Sequence, residues 1–215
     1  MSEFIRARSG AQKDLRMAEI KHAADSLFSK KPYHEITLTN IAEQLSWSRA
    51  NLYKYVTTKE EIFLELCEDK RTLYFDALKA AFPIGCGYSL EVWAEVWAGI
   101  LKAHESYLHY SDILPTIIET NVSVERLAVF KTNYYKDAGE ITDMLHENLQ
   151  LSKEDAYEML LSIYYHSVGS GSICRWNPLV EEALKLANIN TPKTDFQKDM
   201  KKFIYMNLCY YCQHQ

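Results

Sequence analysis

Leu45-Ser46-Trp47-Ser48-Arg49-Ala50-Asn51-Leu52-Tyr53-Lys54-Tyr55-Val56 decides how this 215-residue chain is read, together with Thr57-Thr58-Lys59-Glu60 behind it. Leu45, Trp47, Leu52 and Val56 are its apolar positions, and Leu52 and Val56 lie one helical turn apart on a single face. Ser48 suits the start of a short helix, because its hydroxyl accepts from a backbone N–H of the first turn. Arg49, Ala50, Asn51, Tyr53, Lys54 and Tyr55 fall on the other side, over about two turns of helix. A guanidinium, an amide, an ammonium and two phenols around one small residue suit base edges and phosphates. Arg matches guanine and Asn matches adenine.

Just upstream, residues 36–45 predict a preceding helix with Leu38, Ile41 and Leu45 inward and Ala42 where a second helix crosses closely. Two short helices and a tight turn make a helix-turn-helix. On these residues alone, a solvated helical hairpin with no role in recognition fits as well.

From about Leu15 to Leu66 the chain resembles the DNA-binding domain of TetR-type bacterial repressors. The resemblance runs through Ala23-Ala24, Leu27-Phe28, Ile36-Thr37, Ile41-Ala42, Leu52-Tyr53 and Thr58-Lys59-Glu60. Three positions depart from the usual pattern: Pro32 where a glycine commonly ends the first helix, Ser46 in place of the turn glycine, and Trp47 in place of a smaller apolar residue. Pro32 still ends a helix, whereas Ser46 is expected to hold a conformation that glycine holds more easily. The DNA-facing set is then Thr37, Ser48, Arg49, Ala50, Asn51, Tyr53, Lys54, Tyr55, Thr58 and Lys59. Arg49 and Asn51 stand where side chains reach bases, and Lys59 stands at a helix start that suits a phosphate. The resemblance implies that Tyr53, Lys54 and Tyr55 mostly grip the backbone.

The overall charge of −5 and pI near 5.8 conceal an asymmetry. Residues 1–59 hold ten Lys and Arg against six Asp and Glu, a balance of +4, which leaves −9 for the remainder. A basic head on an acidic body fits a DNA reader joined to a sensor. Met1–Met17 lacks the apolar run of a signal peptide, and no uncharged apolar stretch approaches a membrane span. A cytoplasmic location without membrane contact is expected. The five cysteines at 67, 86, 174, 209 and 212 read as reduced thiols rather than a disulfide framework.

Everything else reads as helix, so the fold class is all-α, with no repeat. The sequence predicts a mobile arm over Met1–Gly10, whose Arg6 and Arg8 would reach a minor groove or simply fray in solvent. A helix follows from Lys13 to Ser29, with Leu15, Ala18, Ala23 and Leu27-Phe28 inward. Thr58 and Glu61 cap a helix to Ala81 with Ile62, Leu66, Leu73 and Ala77 inward. Further helices are expected over Ser89–Tyr107, Val124–Leu149, Ser152–Trp176, Pro178–Asn188 and from Thr194 to the end. Residues 1–58 form the DNA-binding domain, 59–81 a linking helix, and 82–215 an effector-binding and dimerisation domain, with the break at Phe82–Gly87.

No phosphate-cradling glycine motif, zinc spacing or nucleophile motif stands out, so no enzyme, metal or cofactor is expected. Cys209-Tyr210-Tyr211-Cys212 admits a redox reading but more readily two small packing residues. Trp93, Trp97, His104, Tyr107, Phe130, Tyr134 and Tyr164 read mostly as core. Tyr and Trp are nonetheless costly to bury without partners for their polar atoms, so this set is the candidate effector pocket. Gly169-Ser170-Gly171-Ser172 places small residues inside a bulky helix, as a kink or as a close helix approach. The resemblance favours close approach at a homodimer interface with Tyr164, Val168, Gly171, Phe203 and Tyr211, built from Ser152–Trp176 and Thr194–Gln215.

These readings converge on a homodimeric transcriptional regulator that binds double-stranded operator DNA and a small-molecule effector. A same-fold protein controlled by a protein partner without a small ligand is the main rival. An all-α redox protein using Cys209 and Cys212, or an enzyme using His104, is the second.

Overall fold

The computed structural model describes residues 2–175, 177–192 and 194–213, and the side chains among them from Gly10 to Cys212. Among the described residues there are ten α-helices and no strand, as the all-α reading requires. The helices are α1 (Ser2–Phe28), α2 (Leu38–Gln44), α3 (Arg49–Leu52), α4 (Lys59–Ala81) and α5 (Leu90–Ala103). They continue as α6 (Glu105–Ile113), α7 (Val124–Leu149), α8 (Lys153–Cys174), α9 (Pro178–Leu186) and α10 (Phe196–Gln213). No helix among the described residues is long and apolar enough to cross a membrane.

The chain divides into two compact units, Met1–Asp69 with Ile113–Lys131, and Lys70–Asp112 with Thr132–Gln215. This differs from the expected break at Phe82–Gly87. Helices α4 and α7 each contribute residues to both units, so no linker exists for composition to mark.

In the first unit, Ile20, Ala23, Ala24 and Phe28 of α1 are buried with Ile41, Ala42, Leu52, Val56, Ile62 and Phe63. Phe28, Tyr33 and Phe63 meet edge to face with centroids 4.9–6.3 Å apart, a favoured aromatic geometry. Two expectations are corrected here. Helix α1 begins at Ser2 rather than Lys13, so the stretch assigned to a mobile arm is helical, although the side chains of Arg6 and Arg8 lie outside the described residues. Leu15 is 61% exposed rather than inward, because the packed stripe of α1 starts only near Ile20.

In the second unit, α10 packs against α5 and α8, burying Met200, Ile204 and Leu208. Helix α5 buries Trp93, Ala94, Trp97, Ala98 and Leu101. Ile62 and Leu66 of α4 are buried as expected, but from Leu73 onward the stripe shifts by one position, so Tyr74, Phe75 and Leu78 face inward and Leu73 is 57% exposed. The helix expected over Ser89–Tyr107 is two helices, because the backbone leaves helical values at His104 (φ −110°, ψ 29°). Trp176 and Gln215, which close the two expected interface segments, lie outside the described residues.

Candidate nucleic-acid interface

The backbone around the recognition turn is held largely by local bonds. Thr37 caps α2: its Oγ1 accepts from Asn40 N–H at 3.1 Å, while Asn40 Oδ1 accepts from Thr37 N–H at 3.2 Å. This reciprocal cap satisfies two donors that a helix start otherwise leaves open. The helix ends with Ser46 N–H donating to Glu43 O at 3.0 Å and Trp47 N–H donating to Ala42 O at 2.8 Å. That pair of bonds forms a Schellman turn, which needs a left-handed residue between. Ser46 supplies it at φ 57°. The turn therefore forms as the glycine-bearing pattern does, with a serine carrying the strain.

Ser48 then caps α3, its Oγ accepting from Asn51 N–H at 3.2 Å. Helix α3 is a single turn, shorter than the expected two, and Tyr55 N–H and Val56 N–H both bond back to Leu52 O to continue the coil. Leu52 and Val56 are 0% and 3% exposed, so the turn is pinned from beneath. Outward stand Ser48, Arg49, Ala50, Tyr53 and Lys54, with Asn51 half-buried. Arg49 Nη2 and Nε donate to Tyr53 Oη at 2.7 and 3.1 Å, one turn along, which orders a long side chain before any ligand arrives. Tyr55 is half-buried with its ring 5.8 Å from that of Trp47. The guanidinium of Arg16 lies 5.3 Å over the same Trp47 ring. Periodicity along the turn gave no sign of that Arg16 contact, because it comes from α1.

Thr58 Oγ1 accepts from Glu61 N–H at 3.3 Å, and the Glu61 carboxylate accepts from Thr57 N–H at 2.9 Å, fixing the start of α4. Lys59 differs from the expected free phosphate contact. Its Nζ donates to Tyr33 O at 3.0 Å and Ile36 O at 2.7 Å, and lies 3.9 Å over the Tyr33 ring. Burial holds its pKa below the ordinary lysine value. Two of the three ammonium donors are thereby committed to the fold. Tyr33 donates in turn to Glu60 Oε1 at 2.6 Å, and burial together with that bond pushes its phenol up.

The candidate effector residues fall in both units. Trp93 and Trp97 are 1% and 0% exposed; Trp93 stacks on Phe82 at 3.8 Å, and Trp97 Nε1 donates to Tyr74 Oη at 2.8 Å. Tyr107, also buried, stacks between Tyr74 and Tyr164 at 5.4 and 6.1 Å. His104 borders Tyr74, and Tyr134 lies under the Arg71 guanidinium at 5.6 Å. Phe130 is placed in the first unit, where it helps to line a cavity of about 460 Å³ with Lys21, Leu64 and Arg126. In the second unit a cavity of about 510 Å³ is lined by Lys102, Glu105, Leu108, Gly171, Arg175 and Phe196 among others. Arg71, 1% exposed and bonded to Asp137 at 2.9 Å, was not singled out by the sequence reading. Its position between Cys67 and Tyr74 on one apolar stripe was the available signal.

The candidate interface residues Tyr164, Val168, Gly171, Phe203 and Tyr211 are all half-buried. Tyr164 stacks on Tyr107, Phe203 stacks on His166 at 3.7 Å, and a Cβ on Gly171 would meet Leu108 at 3.5 Å within the same chain. The open side of α8 carries Tyr165 and Ile173, 63% and 81% exposed, and that of α10 carries Met206 and Tyr210. Cys209 and Cys212 are free thiols on α10, and burial pushes the Cys212 thiol up, away from thiolate.

Residues 20–66 match the family described as "Bacterial regulatory proteins, tetR family", and residues 68–208 match "Tetracyclin repressor-like, C-terminal domain". Over 56 residues the chain is 36% identical to an uncharacterized HTH-type transcriptional regulator, YfiR, of Bacillus subtilis. That match spans 26% of this chain and 27% of the relative's length. The fold resembles a tetR-family regulatory protein from Rhodococcus RHA1, with TM-score 0.61 and 17% identity over 91% of this chain and 96% of that one. It also resembles a protein described as the fatty acid degradation regulator FadR from Bacillus halodurans, with TM-score 0.56 and 15% identity over 90% and 94%. The head that caps and presents α3 and the helical body behind it are thus matched in order along the sequence, and the chain belongs to the TetR family of DNA-binding transcriptional regulators.

Proposed function

We propose that this regulator is a cytoplasmic repressor that binds a palindromic operator as a homodimer and releases it when a small-molecule effector occupies the second unit. One observation carries the reading: a single helical turn, capped by Ser48 and pinned by Leu52 and Val56, holds Arg49, Ala50, Tyr53 and Lys54 outward with Asn51 half-buried among them. Arg49 and Asn51 read bases in the major groove. Ser48, Tyr53, Lys54 and Tyr55 grip the sugar-phosphate backbone, with Thr37, Thr58 and the remaining donor of Lys59. A single turn contacts too few bases for a specific site, and two-fold symmetry doubles the contacts. The exposed Tyr165, Ile173, Met206 and Tyr210 supply an apolar surface for self-association.

For the effector, a cavity of about 510 Å³ in the second unit is of ligand size. The cavity's polar lining is Lys102, Glu105, Arg175, Thr194 and Asp195; the half-buried His104, Tyr134 and Tyr164, beside Trp93, Trp97 and Tyr107, are not part of that lining and are the proposed contacts of an effector in the aromatic cluster. The ligand acts only by binding two head spacings with different affinity.

Selection of bound sequences from random DNA with the purified protein tests the reading. The expected product is an inverted repeat whose half-sites lie roughly 34–36 Å apart, or a multiple of that spacing. Enrichment of a lone, unrepeated site would contradict the dimeric operator, and no enrichment at all would contradict sequence reading.

A further inference from the structure

Trp47 meets two polar side chains, one from α1 and one from the coil after α3. Its own backbone is fixed, because its N–H donates to Ala42 O at 2.8 Å in the turn that ends α2. Against its half-buried ring lies the Arg16 guanidinium of α1, 5.3 Å from the centroid, within the range of a cation–π contact. The Tyr55 ring stands 5.8 Å away, tilted by 40°. Tyr55 is also close enough to Arg16 to act on it electrostatically: Glu19 first, and the Tyr55 phenol after it, hold the Arg16 pKa above its ordinary value. A guanidinium, an indole and a phenol therefore form one cluster beside α3, all within the first unit.

The polar ends of this cluster are open. Arg16 Nη1 donates to Glu19 Oε2 at 2.7 Å, and the two side chains are 39% and 37% exposed. An ion pair that open contributes little by itself, but it orients the guanidinium fork. It uses one of five donors. Arg16 Nε and Nη2 have no hydrogen-bond partner among the described residues, and neither has the Tyr55 hydroxyl. A guanidinium lying on an aromatic plate keeps its in-plane edge for an acceptor. Two N–H groups of that edge and a phenol O–H nearby match the oxygens of a phosphate. Arg49 and Asn51 hold the start of α3, where bases are read, so a cation brought in by α1 belongs to the sugar-phosphate backbone.

We infer that Arg16 and Tyr55 clamp one phosphate of the bound DNA, with Trp47 as the plate that positions both. Arg16 is then a DNA contact carried by α1, and Trp47 is a positioning residue that acts through its two neighbours. The inference rests on the DNA-binding reading of the recognition turn and deepens it. It adds a contact from outside the helix-turn-helix and gives the large side chain at position 47 a task.

Titration of the full chain with selected operator and with scrambled DNA, across a range of salt, tests it. Arg16→Ala should weaken both DNAs alike, roughly tenfold per bound protomer at about 0.1 M salt. It should also reduce the slope of log K against log salt by about one unit per protomer. Lys30→Ala removes an exposed cation beyond the other end of α1 and should leave that slope unchanged. Trp47→Leu should lose affinity and slope as Arg16→Ala does, and Trp47→Phe, which keeps a ring, should restore most of both. Arg16→Ala/Trp47→Leu should lose no more than either change alone. A folded Arg16→Ala with the wild-type slope, or an equal fall in slope from Lys30→Ala, overturns the clamp and leaves the operator reading standing. A loss confined to the operator would make Arg16 a base contact and also overturn it. Additive losses, with the slope unmoved by Trp47→Leu, would make Trp47 a packing residue and overturn its positioning role. A wild type that binds neither DNA overturns the clamp together with the reading beneath it.

Discussion

The recognition turn and the aromatic body draw on the same side chains and use their polar ends in opposite ways. In the turn, Leu52 and Val56 take the buried positions, while the Arg49 guanidinium and the Tyr53 hydroxyl meet each other at the surface. In the body, the Trp97 N–H is consumed by the Tyr74 hydroxyl, and the Arg71 guanidinium, 1% exposed, donates from Nη2 to Asp137. A polar group bonded inside the fold supports structure; the same group ordered at the surface is available to a ligand. Residue type therefore does not identify a site; the destination of each donor does.

The comparison breaks most visibly at Arg71. Arg71→Ala removes one partner of a largely buried pair and leaves Asp137 short of its cation. Loss of one partner of such a pair costs about 3 kcal/mol, which urea unfolding should register. The first unit should keep its DNA contacts when the variant is folded. A loss under about 0.5 kcal/mol would place Arg71 among ordinary surface residues.

Arg49 and Lys59 sharpen it next. Arg49→Ala is expected to cost about 1–3 kcal/mol on the best operator, with little loss on scrambled DNA and a relaxed preference at one base position. Equal losses on both DNAs would make Arg49 only a phosphate contact. Lys59→Ala should act differently, because its ammonium ties Tyr33 O and Ile36 O to α4. Loss of those bonds should lower the unfolding midpoint as well as weaken all sequences alike, by about 1 kcal/mol each.

These cases also show what the sequence made legible. The helix-turn-helix could be read because its signals are local: Ser48 and Thr58 cap as expected, and Ser46 takes the left-handed turn predicted from the missing glycine, while the cap at Thr37 falls one residue inside the helix expected over 36–45. Lys59 was placed correctly at a helix start, yet its partners come from residues more than twenty positions earlier, which spacing cannot reveal. In the body, neighbouring tyrosines defeat periodicity. Tyr164 and Tyr165 are equally amphipathic, and only packing against Tyr107 decides that the first turns in and the second is 63% exposed. Leu73 was misplaced in the same way, beside the buried Tyr74 and Phe75. The division into compact units falls inside α4 and α7, where a continuous helix leaves composition nothing to mark.

A smaller effect tests the local side of the comparison. Ser46 holds φ 57°, where a Cβ is unfavourable by about 1–2 kcal/mol. Ser46→Gly relieves that strain and adds backbone entropy to the unfolded chain, so a net gain of about 0.5–1 kcal/mol is expected. Thermal unfolding of the first unit should shift upward while operator affinity stays the same. A downward shift would mean that the serine side chain supports the turn in a way its backbone bonds do not show.

The smallest effect belongs to the body and is a slope against pH. Burial lowers the pKa of His104, and burial, opposed by Asp199, lowers that of His166. In the unfolded chain both titrate near their ordinary value of about 6.5. Below that value the unfolded state binds protons that the folded state does not, so stability falls as pH drops through it and is fully present above it. Glu91 and Glu125, whose pKa values the fold lowers below 4.5, act only in a more acidic window. Urea midpoints between about pH 7.5 and 5.5 therefore isolate the histidines. The midpoint should decline across that interval, and His104→Asn should flatten part of the decline. A midpoint constant across the interval would mean that His104 and His166 titrate alike in both states, and that the aromatic body shields them from water no better than an open surface does.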